Sequence, residues 1–149
     1  MSAPTRTKIR SSLSQKMAVP GGRTVAEALD RAEKGLEGHR EAGMVTMGRL
    51  LVWLEAAMVA KATDSAGDVY RVAAELLDLA GFFETGPFYQ ATFSLCDIAD
   101  RMQAAGRWDW PSVAVHVGAL RLIMADGCRD SENSRTILKG LEAVAHRRV

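Results

Sequence analysis

From Thr24 onward the apolar residues of this chain recur every three or four positions, and nowhere do they sustain a period of two with β-branched partners. Spacing of three and four keeps side chains on one face of a helix with 3.6 residues per turn, whereas a half-buried strand needs alternation. The series are Val25, Leu29, Ala32, Leu36; Met44, Met47, Leu51, Leu54, Met58; Val69, Val72, Leu76, Leu79, Phe83; Phe88, Ala91, Leu95, Ile98, Met102; Val113, Val117, Leu120, Met124; and Ile137, Leu141, Val144. This pattern predicts an all-α chain of five or six helices, packed as an antiparallel bundle with short loops.

Start and stop signals punctuate the series. Thr24-Val25-Ala26-Glu27 has the form of a capping box, in which the threonine hydroxyl and the glutamate carboxylate each accept a backbone N–H of the first turn. Ser65 with Asp68 repeats the device, and Asp130 or Ser131 caps the last helix. Pro87 and Pro111 suit first helical turns, the latter with Asp109 as cap, because the missing proline N–H has no partner there anyway. Gly81, Gly86, Gly106 and Gly127 mark ends. Gly35, Gly38 and Gly43 each weaken a helix by roughly 1 kcal/mol relative to alanine, so the first helix is expected to end or bend between Gly38 and Gly43. The seam Met44, Met47, Leu51, Leu54, Met58 covers two heptads; it serves either the monomer core or a homodimer.

Charge is placed unevenly. The 149 residues carry a net charge of +1, but residues 1–23 hold Arg6, Lys8, Arg10, Lys16 and Arg23 with no acid, which is +5, and the remainder is −4. That segment is poor in apolar residues and ends in Pro20-Gly21-Gly22, so it reads as a disordered basic tail, 1–23, ahead of one domain, 24–149. A basic tail suits nucleic acid, an anionic membrane or an acidic partner. The most apolar stretch, Met44 to Ala60, is interrupted by Arg49 and Glu55, and the N-terminus has no apolar h-region, so neither a membrane span nor a signal peptide is expected. Cys96 and Cys128 form neither a disulfide framework nor a zinc pattern, which fits reduced thiols in the cytoplasm.

Catalytic signatures are sparse. There is no Walker loop, no GxGxxG, no HExxH and no GxSxG elbow, and no cofactor is expected. His39, His116 and His146 have no His or Cys three or four residues away, so no helix-borne metal pair is available. Glu37 and Glu41 share a face with Lys34 and Arg40 beside it, as on a solvated helix. Trp108 and Trp110 bracket Asp109 at a helix start, where they staple the helix end to the core.

Arg71 to Gly86, RVAAELLDLAGFFETG, resembles the central helix of histidine phosphotransfer (HPt) domains, whose pattern is A-H-x-L-K-G-S-A-G. The family's alanines fall on Ala73 and Ala80, its leucine on Leu76 and its late glycine on Gly81. Its phosphoacceptor histidine falls on Ala74, its lysine on Leu77, its next glycine on Asp78 and its serine on Leu79. The likeness extends loosely over residues 65–126, and the whole domain also looks like the small CheE-type accessory proteins of bacterial chemotaxis. The resemblance implies an HPt-like four-helix core that meets a response-regulator receiver domain or a histidine kinase in two-component signalling. Without a nucleophilic nitrogen at Ala74 or a cation at Leu77, the chain would be a pseudo-phosphotransfer module, not an enzyme.

The wheel places Ala74 about 200° from Val72 and Leu76, pointing to solvent with Arg71, Glu75 and Asp78. Phe82 lies off the apolar series and suits an interface anchor. The expected partner-binding face is thus Arg71, Ala74, Glu75, Asp78 and Phe82, acting by competition for a receiver surface. An alternative is phosphotransfer through His39 or His116. His39 continues the series Leu36, His39, Gly43 as a partly buried histidine, and His116 lies at a core edge beside Val113 and Val117. His146 belongs to the last turn of the final helix, where a cation favours the dipole.

Overall fold

The computed structural model describes Gly21, residues 24–61 and residues 65–147. These form five helices and no strand: α1 Val25–Ala60, α2 Ala66–Phe82, α3 Pro87–Ala105, α4 Trp110–Ala125 and α5 Glu132–Ala145. The chain is all-α. Apart from Gly21, the basic tail of residues 1–23 lies outside the described residues. The chain divides into two units, one up to Gly38 and one from His39 onward.

In the first unit the capping box forms as expected. Thr24 N donates to Glu27 Oε2 at 2.9 Å, and Glu27 N donates to Thr24 Oγ1 at 3.2 Å. Every residue from Val25 to Gly38 is exposed, including Val25, Leu29 and Leu36. Lys34 and Asp30 pair one turn apart. The helix does not end between Gly38 and Gly43: α1 runs through both glycines to Ala60. Helix propensity is a weak prior that long-range packing overrides. Gly43 is buried, and a Cβ there would overlap ring atoms of Phe83. Its missing side chain is therefore the space that Phe83 fills.

The second unit is built around α3. Its buried residues Phe88, Ala91, Thr92, Leu95, Ile98, Ala99 and Met102 wrap much of the helix, and α2, α4 and α5 each pack on it. Pro87 opens α3, and Gly106 closes it in the left-handed conformation that a Cβ would strain. Ser131 caps α5, accepting the N–H of Ser134 while the Ser134 hydroxyl accepts that of Ser131. Trp108 and Trp110 meet edge-to-face and pack against the core. The seam of α1 joins the same core: Met47, Leu51 and Leu54 are fully buried, and Met44 and Met58 pack beside them. The central residues of the seam thus serve the core of one chain. Helix α1 is long and apolar enough, by length and composition alone, to cross a membrane.

Glu55 of α1 meets Arg121 of α4 in a two-pronged ion pair at 2.8 and 2.6 Å, and Gly48 faces Met124. The order 55 on 121, then 48 on 124, shows that α1 and α4 run antiparallel. The Arg121 hydrogen bond holds the Glu55 carboxyl below its ordinary value despite partial burial. Both side chains remain about 40% exposed, at 41% and 39%, so solvent screens the pair. Replacing Glu55 by Gln should cost no more than about 1 kcal/mol in a urea titration.

Candidate functional site

Helix α2 presents an outward face to solvent. Arg71, Glu75, Asp78 and Phe82 follow one another at helical spacing and all are exposed. Arg71 makes only a loose ion pair with Asp68, 3.5 Å away. Phe82 is 75% exposed and meets Phe83 edge-to-face.

Ala74 is not on the open part of this face. It is half-buried, which corrects the expected solvent orientation. The buried side of α2 is Val69, Val72, Ala73, Leu76 and Ala80, with Leu79 and Phe83 only half-buried. The helix is thus turned toward Ala73 and Ala80 relative to the leucine-weighted reading. Ala73 and Ala80 are fully buried on the side where α2 packs on α3, and small residues let helices approach closely. Four of the five expected partner-binding residues share the open stripe, and the fifth forms its margin.

The chain after α2 is fixed firmly, and this sets where Phe82 sits. Arg40 donates from Nη1 to the Phe83 carbonyl at 2.7 Å. Thr85, which is buried, donates its hydroxyl to the Ala80 carbonyl at 3.0 Å. Glu84 between them adopts a left-handed φ of 50°. With Phe83 turned in over Gly43, its neighbour Phe82 is turned out.

Sequence reasoning missed the other half of this surface. Tyr89 and Phe93 of α3 are 40% and 57% exposed. The Tyr89 ring lies over Gly81 of α2, where a Cβ would come within 3.2 Å of it. Asp78 of α2 is close enough to Cys96 of α3 to act on its thiol, which burial first and this carboxylate second push up to about 11. The two helices therefore present one continuous surface. The signal was available: Tyr89, Phe93 and Cys96 recur at helical spacing off the buried series of α3. Beyond Phe93 a groove of about 450 Å³ separates α3 from α5, with Tyr89, Phe93, Ser94, Leu138 and Leu141 among its walls.

The histidines fall in three different settings. His39, expected to be partly buried, is exposed. His146 is exposed at the end of α5 and borders the groove. His116 is completely buried rather than at a core edge. Its Nδ1 lies 2.8 Å from the Ser112 carbonyl oxygen and its Nε2 lies 2.9 Å from Ser94 Oγ. A carbonyl only accepts, so Nδ1 carries the proton and Nε2 accepts from the Ser94 hydroxyl. Burial pushes the imidazole below its ordinary value; the Ser112 bond opposes this and the charge of Arg101 adds to it. With both nitrogens engaged in the core, His116 is closed to a phosphoryl donor. Ser94 and His116 have the pairing of a nucleophile and its base, but Ser94 sits within α3, where nearby N–H groups are bonded in the helix and none is free to hold an oxyanion. The pair ties α3 to α4. Among the described residues no three or more His, Cys, Asp or Glu side chains converge as metal ligands would.

No protein-family model, no curated protein and no solved structure matches this chain.

Proposed function

We propose that this protein is a non-catalytic interaction module of bacterial two-component or chemotaxis signalling, binding a response-regulator receiver domain or a histidine kinase through the α2–α3 surface. The observation that carries the reading is Phe82, an aromatic side chain 75% exposed on a firmly held backbone, with Arg71, Glu75 and Asp78 along its stripe and Tyr89 and Phe93 on the adjacent helix. Exposed aromatics ringed by charges are the usual anchors of protein interfaces. The phosphotransfer-like pattern supplies the partner class. A module with alanine at position 74 and leucine at position 77 occupies a partner's docking surface without receiving phosphate, so regulation would work by competition.

Binding of purified receivers and kinases from the same cell, followed by calorimetry, tests this. Phe82→Ala should weaken the one specific partner at least tenfold, the scale of an anchor residue. It should leave unfolding stability within about 0.5 kcal/mol, because the ring packs on little. Asp78→Arg should also abolish binding. Equal binding by wild type and both variants would sink the reading.

The exposure of His39 favours a second reading, in which that imidazole accepts a phosphoryl group from a receiver's aspartyl phosphate. Acid-labile label appearing on the chain, and lost in His39→Ala, would replace the non-catalytic reading with this one.

A further inference from the structure

Between Met44 and Ala60, helix α1 has two apolar faces. The inner one, with Met47, Leu51 and Leu54, is closed within the core. The outer one carries Val45, Val52 and Val59, which are 56%, 54% and 87% exposed, with Trp53, Ala56 and Ala60 exposed beside them. At 100° per residue these side chains span about 120° of the helix. A helix pair closes on a narrower seam, whereas a helix lying on lipid buries a broad face. The charged residues from Ala42 to Ala60 are Arg49 and Glu55. Arg49 is exposed near the middle of the outer face. Glu55 lies on the flank, about 80° from Val45, and is held by Arg121. The face therefore presents a cation and no unpaired carboxylate. Trp53, at its edge, is the side-chain type enriched at the headgroup level of bilayers.

We infer that this face docks the chain on an anionic phospholipid surface, with the valines and Trp53 in the boundary between headgroups and acyl chains. Charge selects the occupant. The same helix is joined through Thr24 to residues 1–23, which carry +5 and no acid. A second copy of the chain offers the same cations; an anionic bilayer offers their complement. One apolar face of valine and alanine binds lipid weakly, and stable docking takes a second attraction, which a basic segment supplies at anionic headgroups. Arg49 is compatible with this placement, because its stem lies along apolar surface while its guanidinium reaches a phosphate. The helix lies on the bilayer and does not cross it. Although α1 is long and apolar enough to span, spanning needs lipid around the helix, and Met47, Leu51 and Leu54 are closed by the rest of the bundle.

Flotation of the full chain with phosphatidylcholine–phosphatidylglycerol vesicles tests the docking. Wild type should float with the mixed vesicles at low salt, and should bind vesicles of phosphatidylcholine alone about tenfold or more weakly. Val52→Glu and Ala56→Glu, each of which sets a carboxylate in the face, should lose affinity about tenfold or more, with unchanged helical circular dichroism. Tryptophan emission should shift to the blue when mixed vesicles are added. Trp53→Phe should lack that shift, because Trp108 and Trp110 already pack against the core. Phe82→Ala should float like wild type, which separates this face from the α2–α3 surface. A wild type that does not float, equal binding to both kinds of vesicle, flotation indifferent to both glutamate variants, or a blue shift retained in Trp53→Phe would overturn the inference. So would a chain that ignores vesicles and sediments as a dimer split by Val52→Glu, which would assign the face to a second copy.

Discussion

Replacing Gly43 by alanine should destabilise the bundle by about 2 kcal/mol, although the same change in an open helix stabilises. The ordinary benefit is roughly 1 kcal/mol of helix propensity. At Gly43 an added methyl overlaps the Phe83 ring. The ring has to leave, giving up its place over α1 and its edge-to-face contact with Phe82, and overpacking of this kind costs roughly 1–3 kcal/mol. The backbone it anchors, where Arg40 holds the Phe83 carbonyl, shifts with it. Gly118 and Gly140 provide the contrast: both are exposed within helices, and a methyl added to either would meet nothing within 4 Å. Gly118→Ala and Gly140→Ala should each raise stability by about 0.5–1 kcal/mol. Urea unfolding of the three variants checks the difference in sign. A stabilised Gly43→Ala would show that Phe83 does not depend on that space.

The same glycine shows where reading the sequence stops. Its local effect, weakening a helix, is visible in the chain; its actual role depends on a ring forty residues away, which no spacing rule reaches. What was legible is short-range chemistry. The Thr24–Glu27 box, Pro87 at a helix start, the left-handed Gly106 and the Ser131 cap each need partners within a few residues, and all four are found. The series from Phe88 to Met102 was legible too, because a central helix is buried broadly enough to tolerate an error of rotation. Helix α2 is less forgiving. Its series weights Leu79 over Ala80, yet close helix packing favours the smaller residue, so the buried face turned and Ala74 moved from open solvent to the margin. His116 was misplaced for a related reason: its own helix suggests an edge, and only the arrival of Ser94 from α3 closes it.

That buried histidine should make stability depend on pH within a window separate from the carboxylates. His116 has a folded-state pKa below its ordinary 6.5, burial being the main cause. Below pH 6.5 the unfolded chain binds a proton that the folded chain refuses, so protons favour unfolding. The stabilisation is fully present above pH 6.5, falls by up to about 1.4 kcal/mol per unit as the pH drops, and levels off beneath the folded pKa. The carboxyls of Glu55, Asp126 and Asp130 lie below their ordinary values, mainly through side-chain hydrogen bonds, and their contribution is lost only in more acidic solution. His116→Gln keeps hydrogen-bonding groups but no titrating imidazole, so its stability should be flat between about pH 5 and 7. His116→Ala should cost about 3 kcal/mol at neutral pH, from the cavity and from leaving the Ser94 hydroxyl without its acceptor. Chemical unfolding at several pH values separates these outcomes. A wild-type profile as flat as that of His116→Gln would mean that the imidazole takes up its proton in the core as readily as in the unfolded chain, and the neutral Ser94–His116–Ser112 bridge would have to be abandoned.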